Sequence, residues 1–231
     1  MGFLSNPGLV GVKYRWKTVT TPIVLVGSGT WNDDNGSLTL TTALPAAPTG
    51  TGVLVFLANS GVANGAGLYS AVFQNTTNLQ VSGTGGTTPG AYTAVTTPCV
   101  LAQYTLPANS LNPVNGKLEF FISGNHNNSA GTKTYDVTVG GTVITSAAPT
   151  TSQGIRIAGY FRNEGQANKQ WTQGTSINTQ WFSGGTTVVT PTELSKDTTQ
   201  DLVIQIRGTL ANATDNMMIS EADLYLYING N

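Results

Sequence analysis

Charged residues are the scarcest class in this chain. Asp, Glu, Lys and Arg make up 9% of its 231 residues, against about 25% in ordinary globular domains. The net charge at neutral pH is −1, so little electrostatic repulsion keeps copies of the chain apart. The densest basic stretch, VKYRWK at 12–17, contains only three cations. Because nucleic-acid binding needs clustered Lys and Arg, we expect no nucleic-acid partner.

Cysteine and histidine each occur once. Cys99 therefore excludes an internal disulfide and a multi-cysteine zinc site, and its apolar neighbours in TTPCVLAQY indicate a buried core residue. His126 lies among asparagines in GNHNNSAG, which we interpret as the tip of a hairpin loop. A Ser or Cys triad would have to use this one histidine. The sequence therefore favours a structural or surface histidine over a catalytic one.

Motifs for catalysis and for ligand binding are also lacking. The acidic residues lie in turns or singly, without the paired pattern of a glycosidase, although the fold could bring two together. WNDDNG at 31–36 lacks the spaced ligands of a calcium loop, and SGTGGTTPG at 82–90 lacks the following Lys-Ser/Thr of a phosphate loop. We therefore expect no enzyme, no metal and no cofactor. A polysaccharide depolymerase is the least supported alternative.

Long apolar runs are missing as well. The start, MGFLSNPGLVG, has neither the basic beginning nor the apolar stretch of a signal peptide. No apolar run approaches the length that spans a membrane. We expect a protein that is made in the cytoplasm of its cell and has no membrane partner.

Alternation of apolar and polar residues is what the sequence has in abundance. It runs through KLEFFIS, TKTYDVTVG, DLVIQIRGTL and EADLYLYING, and period two is the pattern of half-buried strands. Turn-forming segments separate about a dozen such stretches. This predicts an all-β antiparallel sandwich or barrel. A single β-sandwich domain over 36–231, preceded by an extended N-terminal arm over 1–35, fits best.

Two groups of residues are candidates for contacts with a partner. QANKQWTQGTSINTQWF at 166–182 is polar and carries two Trp outside clear alternation. It predicts a subunit interface or a carbohydrate-binding platform, with the interface favoured. The residues concerned are Trp171, Trp181, Gln170 and Gln173. In the N-terminal arm, candidate anchoring residues are Phe3, Leu4, Tyr14, Arg15 and Trp16, because extended arms can order on docking.

Four segments, in order, carry a resemblance to a known class of protein. They are VLVFLANSGVANGAGLYSAVFQNTTNLQVSG, YTLPANSLNPVNGKLEFFISGNHNNSAGTKTYDVTVGGTVI, IRIAGYFRNEGQANKQW and DLVIQIRGTLANATDNMMISEADLYLY. Together they span about residues 50–228. This series resembles the jelly-roll structural proteins of tailed bacteriophages, among them head-fibre, capsid-decoration and tail-fibre domains. Each pattern is short, and it is their order that gives the resemblance its specificity.

The resemblance implies a double-sheet antiparallel jelly roll, usually a homotrimer, on the outside of a virion. It carries no catalytic residues. The function that it favours is a trimeric capsid decoration (cement) or head-fibre protein that stabilises junctions between capsid subunits. The implied partners are other copies of the chain, the major capsid protein and other virion proteins. The alternative is a tail-fibre or receptor-binding protein that contacts host surface glycans.

Overall fold

Strands are the only regular elements in the part of the chain that the structure describes. The computed structural model describes residues 13–32, 36–44, 50, 52–57, 67–82, 98–151, 154–177, 186–188, 192–212 and 214–227. The strands are β1 (Lys13–Val19), β2 (Ile23–Val26), β3 (Gly29–Asn32), β4 (Ser37–Leu40), β5 (Gly52–Leu57), β6 (Gly67–Phe73), β7 (Asn78–Val81), β8 (Cys99–Leu106), β9 (Lys117–His126), β10 (Lys133–Val139), β11 (Thr142–Ala147), β12 (Gly154–Gln166), β13 (Lys169–Ile177), β14 (Thr186–Val188), β15 (Thr192–Leu194), β16 (Leu202–Leu210) and β17 (Asn216–Tyr227). These ranges contain no helix suited to crossing a membrane.

The strands form two sheets. The large sheet runs β14-β13-β12-β9-β17-β2-β5-β6-β7-β4-β3, with β1 also on β17 and β15 also on β13. The small sheet runs β11-β10-β16-β8. The described pairings are antiparallel except for β2 with β5, which is parallel.

The connections between the sheets are those of a jelly roll. The chain passes from β8 in the small sheet to β9 in the large one, back to β10, and later from β16 to β17. Facing the small sheet are β13, β12, β9 and β17, with β1 and β2 end to end along the other side of β17. Two antiparallel sheets linked in this way make a jelly-roll β-sandwich. The predicted all-β jelly roll is therefore confirmed, with β3–β7 extending the large sheet.

A hydrophobic core fills the space between the two sheets. Every second residue of a strand points into it: Leu118, Phe120 and Ile122 of β9 are buried, as are Leu224 and Leu226 of β17. The small sheet contributes residues such as Tyr135, Val137, Ile204 and Ile206 to the same cluster. Fully burying one such side chain stabilises a fold by about 1.5–3 kcal/mol. The charge-poor chain is therefore stabilised by ordinary apolar packing.

A second, smaller core lies on the other side of β2. Ile23 and Leu25 point into the main core, whereas Val24 and Val26 point into the second one. The first half of β17 divides in the same way, with Met218 in the second core. Strand β2 is therefore buried on both faces, which explains its uninterrupted apolar sequence IVLV.

The described part of the predicted N-terminal arm lies within the sandwich. β1 and β2 both pair with β17, because the apolar run of β2 has a core on each side. Between residues 13 and 32 the chain thus contributes β1, β2 and β3 to the large sheet. Phe3 and Leu4 lie outside the described residues.

The two connections of β10 differ. β10 and β11 form a hairpin in which Val139 pairs with Thr142 across Gly140 and Gly141, at φ 54° and 79°. Two positive φ angles are what a tight type I′ turn requires. The predicted hairpin between β9 and β10 is wrong, because these strands lie in different sheets. His126 is accordingly no loop tip: it ends β9 and is 0% exposed.

Candidate functional site

The outer face of the large sheet concentrates aromatic and charged side chains. Along β17, Leu224 and Leu226 point into the core, so Tyr225 and Tyr227 point away from it. The same alternation in β9, β12 and β13 places further side chains on this side. We call this surface the aromatic face: Lys13, Arg15, Lys117, Glu119, Phe121, Tyr160, Arg162, Trp171, Gln173, Asp223, Tyr225 and Tyr227.

Strand register aligns these side chains in two straight rows. The first row, read across the strands, is Lys13, Tyr227, Lys117, Arg162, Trp171 and Glu193. The second is Arg15, Tyr225, Glu119, Tyr160 and Gln173. At about 4.8 Å between strands, the first row is roughly 24 Å long. The rows make a continuous surface across neighbouring strands.

Glu119 is the centre of an ion-pair network on this face. Its Oε2 accepts from Lys13 Nζ at 3.1 Å and from the Tyr227 hydroxyl at 2.7 Å. Its Oε1 accepts from Lys117 Nζ at 2.7 Å. Partial burial alone would raise the pKa of Glu119, but the hydrogen bonds from Lys117, Tyr227 and Lys13 outweigh it and lower the pKa. The carboxylate therefore stays ionised between two ammonium groups.

The two lysines around Glu119 also lie over aromatic rings. Lys117 Nζ is 4.1 Å from the centroid of Tyr227, and Lys13 Nζ is 4.3 Å from that of Tyr225. Such cation–π contacts hold an ammonium group against a ring face. Hydrogen bonding to Tyr227, and then to Glu119, raises the pKa of Lys13. These contacts fix the positions of the aromatic rings.

Two of the predicted contact residues, Trp171 and Gln173, lie on the aromatic face. Trp171 stands between Arg162 and Glu193 across the strands. The Tyr160 hydroxyl donates to Gln173 Oε1 at 3.3 Å. All of these except the exposed Glu193 are partly exposed. This end of the face offers ring surface and neutral polar groups side by side, which suits stacking and hydrogen bonding with a partner.

Gln170, grouped with them in the sequence prediction, belongs to the interior. Its side chain is 0% exposed. Nε2 donates to Asn163 Oδ1 at 3.1 Å and to the carbonyl oxygens of Ala167 and Lys196, at 2.8 and 2.7 Å. Adjacent strand residues point to opposite faces, so Gln170 points inward where Trp171 points outward. Its place in the predicted contact set is corrected: Gln170 holds the fold. Trp181 lies outside the described residues.

The predicted anchoring residues divide between the two sides of the sheet. Arg15 lies on the aromatic face, 3.2 Å from Asp223 Oδ2 and 3.3 Å from the Tyr225 hydroxyl. Trp16 points to the other side, where its ring meets Tyr104 edge-on at 6.2 Å between centroids. A β-bulge between Arg15 and Lys17 accompanies this change of side. Tyr14 is 39% exposed.

The remaining residues of the aromatic face were missed by sequence reasoning as site residues. Aromatic residues at positions expected to face solvent could have identified them. Phe121 of β9 and Tyr225 and Tyr227 of β17 occupy such positions, since they alternate with the core residues. What alternation does not supply is the register that brings these residues into line with Trp171.

The side chains of the aromatic face are suited to contact with a partner surface. Lys13, Lys117 and Arg15 pair with carboxylates of the same face, Arg162 pairs with Glu164, and the rings are half-buried. Among the described residues no group of three His, Cys, Asp or Glu side chains is arranged to hold a metal ion. Cys99 is buried, and burial raises the pKa of its thiol.

No family model matches the sequence, and no curated protein matches it. Among solved structures, the chain is similar to the CBM2 module of an evolved Dit protein from Lactobacillus casei BL23 phage J-1, at 13% identity, with 55% of this chain and 68% of that chain covered and a TM-score of 0.31. A protein of unknown function from Shewanella oneidensis MR-1 is 10% identical, with 88% and 87% covered and a TM-score of 0.32. The basic winged bean lectin, solved with Tn-antigen, is 9% identical, with 93% and 100% covered and a TM-score of 0.34. At these TM-scores the similarities say nothing about the function of this chain.

Proposed function

We propose that this chain is a non-enzymatic structural protein of a tailed-phage virion, a trimeric capsid decoration or head-fibre protein on the outside of the head. Its partners are then other copies of itself and the major capsid protein or other virion proteins. It is made in the host cytoplasm and ends on the capsid exterior. The resemblance over residues 50–228 and the jelly-roll fold support this class. The aromatic face is the observation that supports a role in binding other proteins of the virion.

The composition of the aromatic face argues for assembly. Monomeric proteins rarely leave a large contiguous patch of aromatic residues partly exposed. Tyr, Trp, Phe and Arg are enriched in protein interfaces, and Phe121, Tyr160, Trp171, Tyr225 and Tyr227 are all partly exposed on this face. A partner surface that covers the face would bury these rings.

The charges of the face suit contact with a second protein. Arg15 pairs with Asp223, and Lys13 and Lys117 pair with Glu119. These three cations and two carboxylates leave one net positive charge, which does little to repel an uncharged or identical partner. A surface made mostly of unpaired cations would favour a polyanion instead.

The test is binding to expanded capsids that lack decoration. Purified protein should form trimers by light scattering, bind the capsids and raise their melting temperature. Trp171→Ala should weaken capsid binding, whereas Gln205→Ala, on the outer side of the small sheet, should not. Gln205 is a matched control because its side chain is partly exposed and hydrogen-bonded to Gln103 at 2.8 Å. Monomeric protein without affinity for capsids would overturn the proposal.

A tail-fibre or receptor-binding role is the second candidate. The arrangement of Tyr160, Trp171 and Gln173 favours it, because a sugar ring can stack on an aromatic ring while its hydroxyls bond to a neighbouring amide. Glycan arrays and binding to host cells test this role. Loss of cell binding in Trp171→Ala, with trimers intact and no capsid affinity in the wild type, would support the second candidate against the first.

A further inference from the structure

A buried polar cluster joins the two sheets at one end of the sandwich. Its members are Asn127, Ser129, Lys133, Thr150 and Asp215. Lys133 is the first residue of β10 in the small sheet, and Asp215 directly precedes β17 in the large sheet. The side chains of both are 0% exposed. Removing both charges of an ion pair from water is costly, and the attraction between them often fails to offset that cost.

The contacts of the carboxyl group are unequal at its two oxygens. Oδ1 accepts from Ser129 Oγ at 2.6 Å and from Asn127 Nδ2 at 2.9 Å. Oδ2 lies 3.7 Å from Lys133 Nζ and accepts no hydrogen bond within the described residues. A side chain at Gly131 would collide with Oδ2, so this glycine leaves room for the carboxyl group. One oxygen is thus held by two donors, and the other faces the amine.

Ser129 links the amine to the acid. Lys133 Nζ donates to Ser129 Oγ at 2.6 Å, and the same hydroxyl donates to Asp215 Oδ1. Nζ also donates to the carbonyl oxygens of Thr150 at 2.9 Å and of Ser129 at 3.3 Å. The hydroxyl therefore provides a path along which a proton can move from nitrogen to carboxylate.

Burial at this site makes the ion pair costly, because both charges are removed from water. Burial lowers the pKa of Lys133, against the opposing effect of Asp215. Transfer of one proton from the ammonium to the carboxylate converts the buried ion pair into an amine beside a carboxylic acid. A neutral amine is a nucleophile, and a neutral acid can lose its hydroxyl as water.

We infer that Lys133 and Asp215 form an intramolecular amide bond. The ammonium proton passes through Ser129 Oγ to Oδ1 of the carboxylate, and the nitrogen lone pair attacks Cγ. Asn127 Nδ2 holds Oδ1 in place, and Oδ2 becomes the carbonyl oxygen of the amide. The bond from Cγ to Oδ1 breaks, and Oδ1 leaves as water with the transferred proton and one from nitrogen. The reaction needs no oxidant, reductant or co-reactant.

This bond would tie the small sheet to the large sheet covalently. The chain has one cysteine and so forms no internal disulfide. The amide would supply the same kind of constraint without depending on a redox environment.

Intact mass measurement of the purified full chain tests the inference. The wild type should be lighter than its calculated mass by one water. Trypsin should then fail to cut after Lys133 and should release residues 118–156 joined to residues 208–231. Lys133→Arg keeps the cation but removes the amine, and should show its full calculated mass. The matched control Lys196→Arg should still lose one water.

The role of Ser129 is tested by rate. Ser129→Ala should form the bond more slowly after refolding from denaturant, with the same final mass loss. Folded wild-type protein at its full calculated mass after prolonged incubation, with separate peptides 118–133 and 208–231, would overturn the inference and leave an ion pair alone. Because the wild-type measurements need no variant, misfolding of a variant does not affect that outcome.

Discussion

Lysine meets a carboxylate in two places in this molecule, and the two places differ in their access to water. On the aromatic face Lys13 and Lys117 share Glu119, with the lysine side chains 39% and 17% exposed. In the polar cluster Lys133 and Asp215 are both fully buried. Coulombic attraction is strong only where water is excluded, and there the desolvation cost is also large. At the surface, the lysine–carboxylate pairs therefore hold side chains in position. In the interior, the pair links the two sheets, and we infer that it reacts to form an amide bond.

The largest expected effect is that of removing one buried partner. Lys133→Met leaves the charge of Asp215 buried without compensation, and we expect the free energy of unfolding to fall by about 3–5 kcal/mol. Urea unfolding followed by tryptophan fluorescence measures the change. Adding Asp215→Asn removes the remaining charge and should restore the part of the loss that this charge causes, but not the part caused by losing the amide bond. A single variant as stable as the wild type would show that Asp215 is not charged in the folded protein.

The next effect separates binding from stability on the aromatic face. Trp171→Ala should cost about 2 kcal/mol of capsid binding, more than tenfold in Kd, because Trp is typical of residues that dominate an interface. Its free energy of unfolding should change by no more than about 1 kcal/mol, since Trp171 is partly exposed. Titration of labelled protein onto capsids and urea unfolding measure the two quantities. Equal losses in both would make Trp171 a folding residue.

The free energy of unfolding should depend on pH because His126 is buried. Burial lowers the pKa of His126 from 6.5, despite its hydrogen bond to the carbonyl oxygen of Asn127 at 3.1 Å. Below pH 6.5 the unfolded chain therefore binds a proton that the folded chain does not, so stability must fall as the pH decreases from 7.5 to 5.5. Since His126 is the only histidine, His126→Asn should remove this slope. A slope that survives the substitution would assign the pH dependence elsewhere.

The smallest effect is expected where an ion pair is most open to solvent. Lys13→Gln should lower the free energy of unfolding by about 0–1 kcal/mol, and less in high salt, because exposed pairs are weak and screened. Lys117→Gln should cost more than Lys13→Gln, since Lys117 is less exposed and lies over the Tyr227 ring. Unfolding at low and high salt compares the two variants. The reverse order would show that the ring contacts of Lys13 outweigh exposure.

How far the sequence predicts this structure depends on what each residue faces. Alternation in β9, β16 and β17 reflects one apolar side and one polar side, and it predicts these strands. It does not predict β13, because the inward residues Gln170, Thr172 and Gly174 are polar or small. Gly174 faces Thr145 so closely that a side chain there would collide with it. Because β13 contacts the small sheet through polar or small residues, its sequence does not alternate between apolar and polar residues.

The candidate sites show a second limit of sequence reasoning. Trp171 and Gln173 are predicted contact residues, yet most of the other residues of the aromatic face come from β1, β9 and β17, which are far from them in the chain. Alternation assigns a residue to a side of a strand, but it does not say which strand lies next to it. Because strand neighbours are not known from alternation, the sequence wrongly predicts a hairpin around His126. For the same reason it does not predict that Lys133 lies next to Asp215.

The two-sided burial of β2 has a consequence for how the molecule comes apart. Its four residues are a wall shared by both cores, so neither core can loosen without exposing part of the other. The segment that contains β3–β7 is therefore bound to the jelly roll by common apolar surface as well as by strand pairing. The amide protons of β2 and of its partner segment in β17 should be among the last to exchange with solvent, and the whole sandwich should melt as one cooperative unit.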